Sequence, residues 1–225
     1  MSLWVNIHTH GLKETQAVQI LSVDCQSFDT SEAIKNAPTS FFSLAFHPLK
    51  YTANEPLDER QVNSLLSMPS VIAIGESGLD KHSALSTEEQ MRLFRMQMEL
   101  SIQHQLPIII HCVGRWNELE ILFKEKKVNS PSWIIHGFRK TRLINKFLDL
   151  GAYLSFGEAL LYDELLQEAI KTVPLDRLFL ETDDADVDII LLYEKLAQIK
   201  SVPLQAVIDQ LFETYLAVFQ HDKLA

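Results

Sequence analysis

Six residues whose side chains can bind a metal ion follow five separate apolar segments of the chain. Each segment contains several aliphatic or aromatic residues, then the polar residue, then residues typical of turns. The six are His8, His10, Glu76, His111, His136 and Asp183. Mixed imidazole and carboxylate ligands suit Zn²⁺, Mn²⁺, Fe²⁺ or Mg²⁺. Because six ligands exceed the usual three of one catalytic zinc ion, the set predicts two ions that activate a water for hydrolysis.

The first two candidate ligands, His8 and His10, lie two residues apart. On a strand both side chains would point to one face and could bind the same ion. Taken alone, the pair could equally be buried, hydrogen-bonded histidines. Glu76 ends the apolar run of AIGESGLD, where Gly75 and Gly78 are expected to shape a turn. A buried carboxylate is rare unless it is paired or binds metal, so a salt bridge to Lys or Arg is the alternative for Glu76.

The remaining candidates end three further apolar segments. His111 closes PIIIH and His136 closes SWIIH, and each alone could be a core histidine. Asp183 closes LFLETD and could both bind metal and accept a proton from water. Glu181, two residues earlier, could orient a ligand or the water. The alternative is a solvated acidic loop, which we expect for the later aspartates of DDADVD.

Eight short segments are predicted to be strands that position these residues. Most are continuous apolar runs, which are typical of a parallel sheet covered on both faces. They are Leu3–His8, Ile20–Cys25, Phe41–Phe46, Val71–Glu76, Pro107–His111, Trp133–His136, Ala152–Phe156 and Arg177–Glu181. An α/β fold of the TIM-like (β/α) barrel type gathers the carboxyl ends of its strands at one mouth. Such a fold would bring ligands together that lie far apart in the sequence.

Helical patterns separate the later strands. Ser86 begins a capping-box pattern for a helix that runs to about His104, and the last helix carries one apolar stripe from Leu204 to Phe219. Only Gly11–Gln19 separates the first two strands, which is short for a crossover helix, so we expect that helix to be reduced. Since the chain contains no linker or repeat, residues 1–225 are predicted to form a single barrel domain.

Composition narrows the possible functions. The 225 residues are 47% hydrophobic and 22% charged, which suffices for one sizeable core. A net charge of −10 argues against a broad DNA-coating surface, although bound cations could still attract a small anionic substrate. Cys25 and Cys112 do not suggest a disulfide framework. The sequence shows no signal peptide, membrane span or obligate protein partner, so a soluble cytoplasmic protein is expected.

The order of the motifs resembles that of the TatD family of metal-dependent deoxyribonucleases, in the amidohydrolase-like barrel group. The matching segments are NIHTH, AFHP, IGESGLD, PIIIHC, WIIHGF, LSFG and LFLETD. The resemblance implies a TIM-like barrel, a divalent metal centre, and hydrolysis of DNA phosphodiesters, often from strand ends. Carried over by motif, one ion would be held by His8, His10, Glu76 and Asp183, and the other by Glu76, His111 and His136. Glu76 would then bridge the two ions, and Asp183 would also accept the proton, which makes both residues catalytic.

Four further residues are candidate substrate contacts. The resemblance places His47 of AFHP and His82 after GLD near the substrate. Arg115 and Arg139 each follow a ligand strand closely and could neutralise a phosphate. The alternatives are loop histidines fixed by their neighbours or exposed to solvent, and surface arginines paired with nearby acids.

The chain departs from the family pattern in three places. Asn6 stands where Asp is usual, Arg139-Lys140 follows HGF, and the segment after Asp183 enters a helix without a long loop. These departures concern the walls that would grip DNA more than the ligands. DNA is therefore the expected partner, and a small phosphoester, amide or lactone is the alternative substrate. A third hypothesis is that the protein is a non-catalytic barrel that keeps a metal.

Overall fold

The computed structural model describes residues 2–11, 16–26, 34, 40–52 and 59–219. All eight predicted strands are present, and they form one sheet in chain order from β1 to β8. Their bounds are β1 Val5–Thr9, β2 Val18–Asp24, β3 Phe41–Ala45, β4 Val71–Asp80, β5 Ile108–Val113, β6 Trp133–Ile135, β7 Tyr153–Phe156 and β8 Leu178–Leu180. This strand order, with helices between the later strands, confirms the predicted (β/α) barrel class.

Seven α-helices lie within the described residues. They are α1 Glu59–Leu66, α2 Thr87–His104, α3 Trp116–Glu125, α4 Ile144–Asp149, α5 Glu164–Ile170, α6 Ile189–Lys200 and α7 Leu204–Phe219. The predicted shortening of the first crossover falls largely on residues 12–15, which lie outside the described part of the chain. Within the described ranges no helix has the length and apolar character needed to cross a membrane.

The chain divides into two compact units. The terminal unit consists of residues 1–20 and 134–225, and the central unit consists of residues 21–133. A single domain over residues 1–225 stays a prediction.

In the central unit, β4 continues well past the point where the sequence predicted its end. The strand runs to Asp80, so Gly75 and Gly78 both lie inside it rather than in a turn, which corrects the expectation. Gly78 pairs with His111 of β5, and a Cβ atom at Gly78 would lie only 1.9 Å from the His111 carbonyl oxygen. Because only glycine permits this approach, Gly78 lets β4 stay paired with β5 as far as Asp80.

The predicted capping box of α2 is confirmed. The Ser86 hydroxyl accepts a hydrogen bond from the Glu89 backbone N–H at 3.2 Å, and the Glu89 carboxylate accepts one from the Ser86 N–H at 2.8 Å. Two backbone donors that the first helical turn leaves open are thereby satisfied.

In the terminal unit, helix α6 is tied to β1 by one buried side chain. The Tyr193 hydroxyl accepts from the Val5 N–H at 3.0 Å and donates to the Val5 carbonyl at 3.1 Å. Helix α7 buries most of its predicted stripe, but Leu216 is 37% exposed while Val218 is buried. The buried face of α7 is therefore rotated slightly toward Val218, which lies two helical turns after Leu211.

Candidate metal centre

Strands β1 and β8 bring three predicted ligands of the terminal unit together. Asp183 directly follows the end of β8, and its backbone N–H donates to the His8 carbonyl at 3.0 Å. The His10 N–H donates to the Asp183 carbonyl at 3.3 Å. These main-chain contacts fix Asp183 against β1 with a left-handed φ of 51°.

The side chains of these residues converge on one carboxylate oxygen. Asp183 Oδ1 lies 3.5 Å from His8 Nε2 and 3.4 Å from His10 Nε2. Zinc binds nitrogen and oxygen at about 2.0–2.2 Å, so two ligand atoms of a tetrahedral ion lie about 3.4 Å apart. The observed separations fit that arrangement. His136 joins the same group, because ligand atoms of His8, His136 and Asp183 lie within 4.8 Å of one another.

We call His8, His10, His136 and Asp183 the terminal cluster. The family resemblance assigned His136 to the second ion, and that assignment stays a prediction. The ring centroid of His136 is 4.4 Å from the ring centroid of His8. Glu181 fixes the other side of the His136 ring: Glu181 Oε1 lies 3.4 Å from Nδ1 and accepts a 2.6 Å hydrogen bond from the Gly137 N–H. Since Glu181 is fully buried, it can orient His136 with Nε2 turned away from it.

Asn6, one of the departures from the family pattern, supports the loop that carries Asp183. Its side-chain amide donates to the Thr182 hydroxyl at 2.8 Å, and its side-chain carbonyl accepts from the Thr182 N–H at 3.1 Å. Both residues are buried. Asn6 is therefore a fixed contact between β1 and the residue before Asp183.

The central unit brings together a second group of ligand atoms, from His47, Glu76 and His111, which lie within 4.8 Å of one another. We call these three residues together with Asp80 the central cluster. Glu76 Oε1 lies 2.8 Å from His111 Nδ1 and 3.3 Å from His47 Nε2. On the other side of its ring, His111 Nε2 lies 2.7 Å from Asp80 Oδ2. Glu76 thus contacts nitrogen atoms of two histidines.

His47 is placed more definitely than the sequence allowed. Its backbone N–H donates to Asp24 at 3.2 Å, and its Nδ1 accepts from the Leu49 N–H at 3.1 Å. A neutral His47 therefore carries its proton on Nε2, which faces Glu76. The geometry indicates that His47 Nε2 donates a hydrogen bond to Glu76, in addition to any contact that His47 makes with substrate.

The other predicted substrate contacts have different surroundings. Arg139 is exposed and lines a cavity of about 350 Å³ together with Glu158, Glu181 and Asp183. Arg115 is half-buried and lies 3.8 Å from Glu118, one helical turn away. His82 is exposed, and its backbone N–H donates to Asp80 Oδ1 at 2.7 Å. The substrate roles of Arg115 and His82 stay predictions.

Two carboxylates of the central unit were not identified from the sequence. Asp24 supports His47, and Asp80 contacts His111. Both end a strand, which was the available signal, but each strand was predicted with different bounds.

Burial, with a contribution from Asp24, raises the pKa of the Cys25 thiol, so Cys25 does not offer a thiolate at neutral pH.

Fold and donor set together define a metal-dependent hydrolase built on a (β/α) barrel. A model of the family described as TatD related DNase matches residues 6–220, and the chain belongs to that family. This result confirms the resemblance and the hydrolase class that the sequence predicted.

Curated relatives align with part of the chain. The protein named uncharacterized metal-dependent hydrolase YcfH of Escherichia coli strain K12 is 33% identical over 146 residues, which are 63% of this chain and 54% of the relative. The 3'-5' ssDNA/RNA exonuclease TatD of Salmonella typhimurium is 29% identical over 164 residues, 69% of this chain and 63% of the relative. The alignments thus span between half and two thirds of these relatives.

Solved structures share the fold over almost the full chain. A crystal structure of YJJV, a TatD homolog from Escherichia coli, has a TM-score of 0.80 at 19% identity and covers 97% of this chain and 98% of its own. A hydrolase TatD family protein from Entamoeba histolytica has a TM-score of 0.77 at 19% identity and covers 96% of this chain and 98% of its own. At these identities the likeness establishes the fold alone.

Proposed function

We propose that the protein is a divalent-metal-dependent DNA phosphodiesterase that acts at strand ends and uses a water activated by two ions. The proposed ligands are His8, His10, Glu76, His111, His136 and Asp183. The observation that carries the proposal is the convergence of His8 Nε2 and His10 Nε2 on Asp183 Oδ1, at 3.5 and 3.4 Å. The exonuclease activity in the names of the TatD relatives supports the choice of nucleic acid as substrate.

When bound, divalent ions such as Zn²⁺, Mg²⁺ or Mn²⁺ would lower the pKa of water and neutralise charge on a phosphodiester. Neutral histidines and ionised carboxylates are the forms that bind such ions. Ligand sets of this kind fit within each unit, because their donor atoms already lie within 4.8 Å of one another.

Asp183 is the proposed proton acceptor. Its side chain is 41% exposed, while that of His8 beside it is fully buried. The carboxylate also lines the cavity that contains Arg139. Water and substrate can therefore reach Asp183, and the main-chain contacts to His8 and His10 hold it in place while it takes a proton.

Arg139 is the proposed phosphate contact. Its guanidinium can donate two hydrogen bonds to phosphate oxygens, and its position beside the carboxylates of the cavity would place that phosphate near the reacting water. Arg115 and His82 remain secondary candidates for this role.

We retain a cytoplasmic location as a further prediction, which fractionation of the source cells would check.

A small phosphoester is the second candidate substrate, and the walls of the same cavity favour it. Glu158 and Asp184 add negative charge to the lining. Only a short segment separates Asp184 from α6. The Asp188 side chain caps the N-terminus of α6 by accepting a hydrogen bond from the Ile190 N–H at 3.0 Å. An acidic wall and a short loop offer little surface to a long anionic strand.

One assay separates the two candidates. The full chain is incubated with Mg²⁺, Mn²⁺ or Zn²⁺ and with end-labelled single- and double-stranded DNA, and in parallel with a chromogenic phosphomonoester and phosphodiester. Stepwise shortening of DNA from one end is expected. Intact DNA alongside turnover of the small esters would replace the nuclease with the second candidate, and no turnover of any substrate would contradict both.

A further inference from the structure

We propose that Asp80 is a positioning residue that holds His111 so that Nδ1, and not Nε2, binds the metal ion. The inference rests on the proposed function in one respect only, namely that the central cluster binds a divalent ion. It concerns the orientation and proton placement of one ligand and holds whether the substrate is DNA or a small ester.

The contacts of the His111 ring carry the inference. Nε2 lies 2.7 Å from Asp80 Oδ2, and Nδ1 lies 2.8 Å from Glu76 Oε1. Both carboxylates are buried, at 6% exposure for Glu76 and 3% for Asp80. A neutral imidazole can donate from only one nitrogen, and the other nitrogen then offers the lone pair that a metal needs.

Asp80 is held in place by contacts other than its contact with His111. Its second oxygen accepts the His82 N–H at 2.7 Å, and its own backbone N–H donates to Gln90 Oε1 at 2.7 Å. Gln90 is fixed in turn, because its side-chain amide donates to the Leu85 carbonyl at 3.0 Å. The Asp80 carboxylate is thereby anchored by the segment that follows β4, and the Asp80 main chain is anchored by helix α2.

Glu76 differs from Asp80 in its contacts. It faces two histidines, His47 and His111, and is itself a proposed ligand. The proton of His111 therefore belongs on Nε2, where Asp80 accepts it, and the Nδ1 lone pair is directed to the side of Glu76. A carboxylate on the outer nitrogen also makes the inner nitrogen a stronger donor to metal.

The backbone explains why this pairing is built into the fold. Gly78 lets β4 approach β5 directly opposite His111, and Asp80 follows two residues later on the same strand. Residues two apart on a strand point to the same face, so the close approach at Gly78 and the contact at Asp80 are parts of one local arrangement.

The direct test uses the wild-type chain labelled with ¹⁵N-histidine and loaded with Zn²⁺. Long-range ¹H–¹⁵N correlation spectra identify which nitrogen of each histidine carries a proton, and His111→Gln assigns the signals. We expect His111 to carry its proton on Nε2. A proton on Nδ1 would overturn the inference, and because the measurement is made on the wild-type chain, a misfolded Asp80 variant cannot obscure the result.

A matched pair of substitutions supplies the second readout. Asp80→Asn removes the charge and the obligate acceptor, while Asp163→Asn makes the same change at the N-cap of α5, where Asp163 accepts from the Leu166 N–H at 3.0 Å. Loss of such a metal-orienting partner weakens metal affinity by about 10–100-fold. We expect that loss for one bound Zn²⁺ in Asp80→Asn and wild-type affinity in Asp163→Asn.

The outcomes distinguish this inference from the proposed function. Equal Zn²⁺ affinities for the two variants would overturn the role of Asp80. Zinc bound through His111 Nδ1 without cleavage of DNA would contradict the nuclease and leave the inference standing. Cleavage of DNA with the His111 proton on Nδ1 would contradict the inference and leave the nuclease standing. A wild-type chain that binds none of Zn²⁺, Mn²⁺ and Mg²⁺ would contradict both.

Discussion

The terminal and central clusters bring together the same kinds of side chain in different ways. In the central cluster the His111 nitrogens lie 2.7 and 2.8 Å from carboxylate oxygens, and Glu76 and Asp80 are almost fully buried. In the terminal cluster the separations from Asp183 are 3.4 and 3.5 Å, and the Asp183 side chain is 41% exposed beside a cavity. The difference indicates that the central cluster holds its side chains rigidly, while the terminal cluster is open to solvent at Asp183, where we propose that water and substrate enter.

The largest expected effect is in the terminal cluster, at Asp183. Asp183→Asn removes the charge of a proposed ligand and the proposed proton acceptor together. Since general-base catalysis alone contributes about 10²–10⁴-fold, we expect turnover to fall by about 10³-fold or more with the fold intact. Steady-state kinetics on the cleaved substrate would show this. Asp186→Asn, an exposed position in the same segment, is the control, and similar activity of the two variants would remove Asp183 from the chemistry.

In the central cluster the most damaging single change is in the backbone. Gly78→Ala would place a Cβ atom 1.9 Å from the His111 carbonyl oxygen. Overpacking of this kind costs about 1–3 kcal/mol or more, and we expect the upper end, together with loss of Zn²⁺ binding by His111. Denaturant unfolding measures the change. Gly11→Ala, whose Cβ would meet nothing within 4 Å, should leave stability near that of the wild type. If Gly78→Ala were equally stable, the rigidity assigned to the central cluster would be wrong.

A smaller effect is expected for Asn6, whose hydrogen bonds to Thr182 support the residue before Asp183. Asn6→Ala removes two buried hydrogen bonds to Thr182 and leaves the Thr182 N–H without its partner. The expected loss is about 1–3 kcal/mol of unfolding free energy, with reduced turnover because Thr182 precedes Asp183. Thermal and denaturant unfolding, set against Asn117→Ala at an exposed helix position, provide the comparison. Unchanged stability of Asn6→Ala would show that the terminal cluster does not depend on this contact.

The smallest effect separates binding from chemistry at the cavity. Arg139→Ala removes the proposed phosphate contact and leaves every proposed ligand in place. A charge-assisted hydrogen bond is worth about 1.5–3 kcal/mol, so KM for DNA should rise about 10-fold or more with kcat nearly unchanged. The salt dependence of binding should also weaken. Lys140→Ala, the exposed neighbour, is the control, and an equal rise in KM for both variants would assign the effect to general charge.

Much of the scaffold could be predicted from the sequence because continuous apolar runs identify buried parallel strands. All eight strands and the capping box at Ser86 appear where the sequence placed them, within a few residues. The candidate ligands were predicted for the same reason: a histidine or carboxylate that ends an apolar run is easily recognised. The deoxyribonuclease family followed from the order of those runs.

The supporting contacts could not be predicted in the same way. Gly78 was read as a turn residue, because a glycine between Ser77 and Leu79 says nothing about a strand lying directly against it. With the end of β4 placed too early, Asp80 fell outside the predicted strand and its contact with His111 was missed. Pairing between side chains far apart in the sequence depends on strand register, which the apolar pattern leaves open.

Metal content measured together with activity tests the central claim most directly. The purified full chain is stripped with a chelator, dialysed against defined Zn²⁺, Mn²⁺ or Mg²⁺, and assayed for bound metal by mass spectrometry and for cleavage of end-labelled DNA. We expect two ions for each chain, no cleavage in the stripped protein, and recovery of cleavage as both ions return. Cleavage that persists in the stripped protein, or a wild-type chain that binds no divalent ion, would contradict the account.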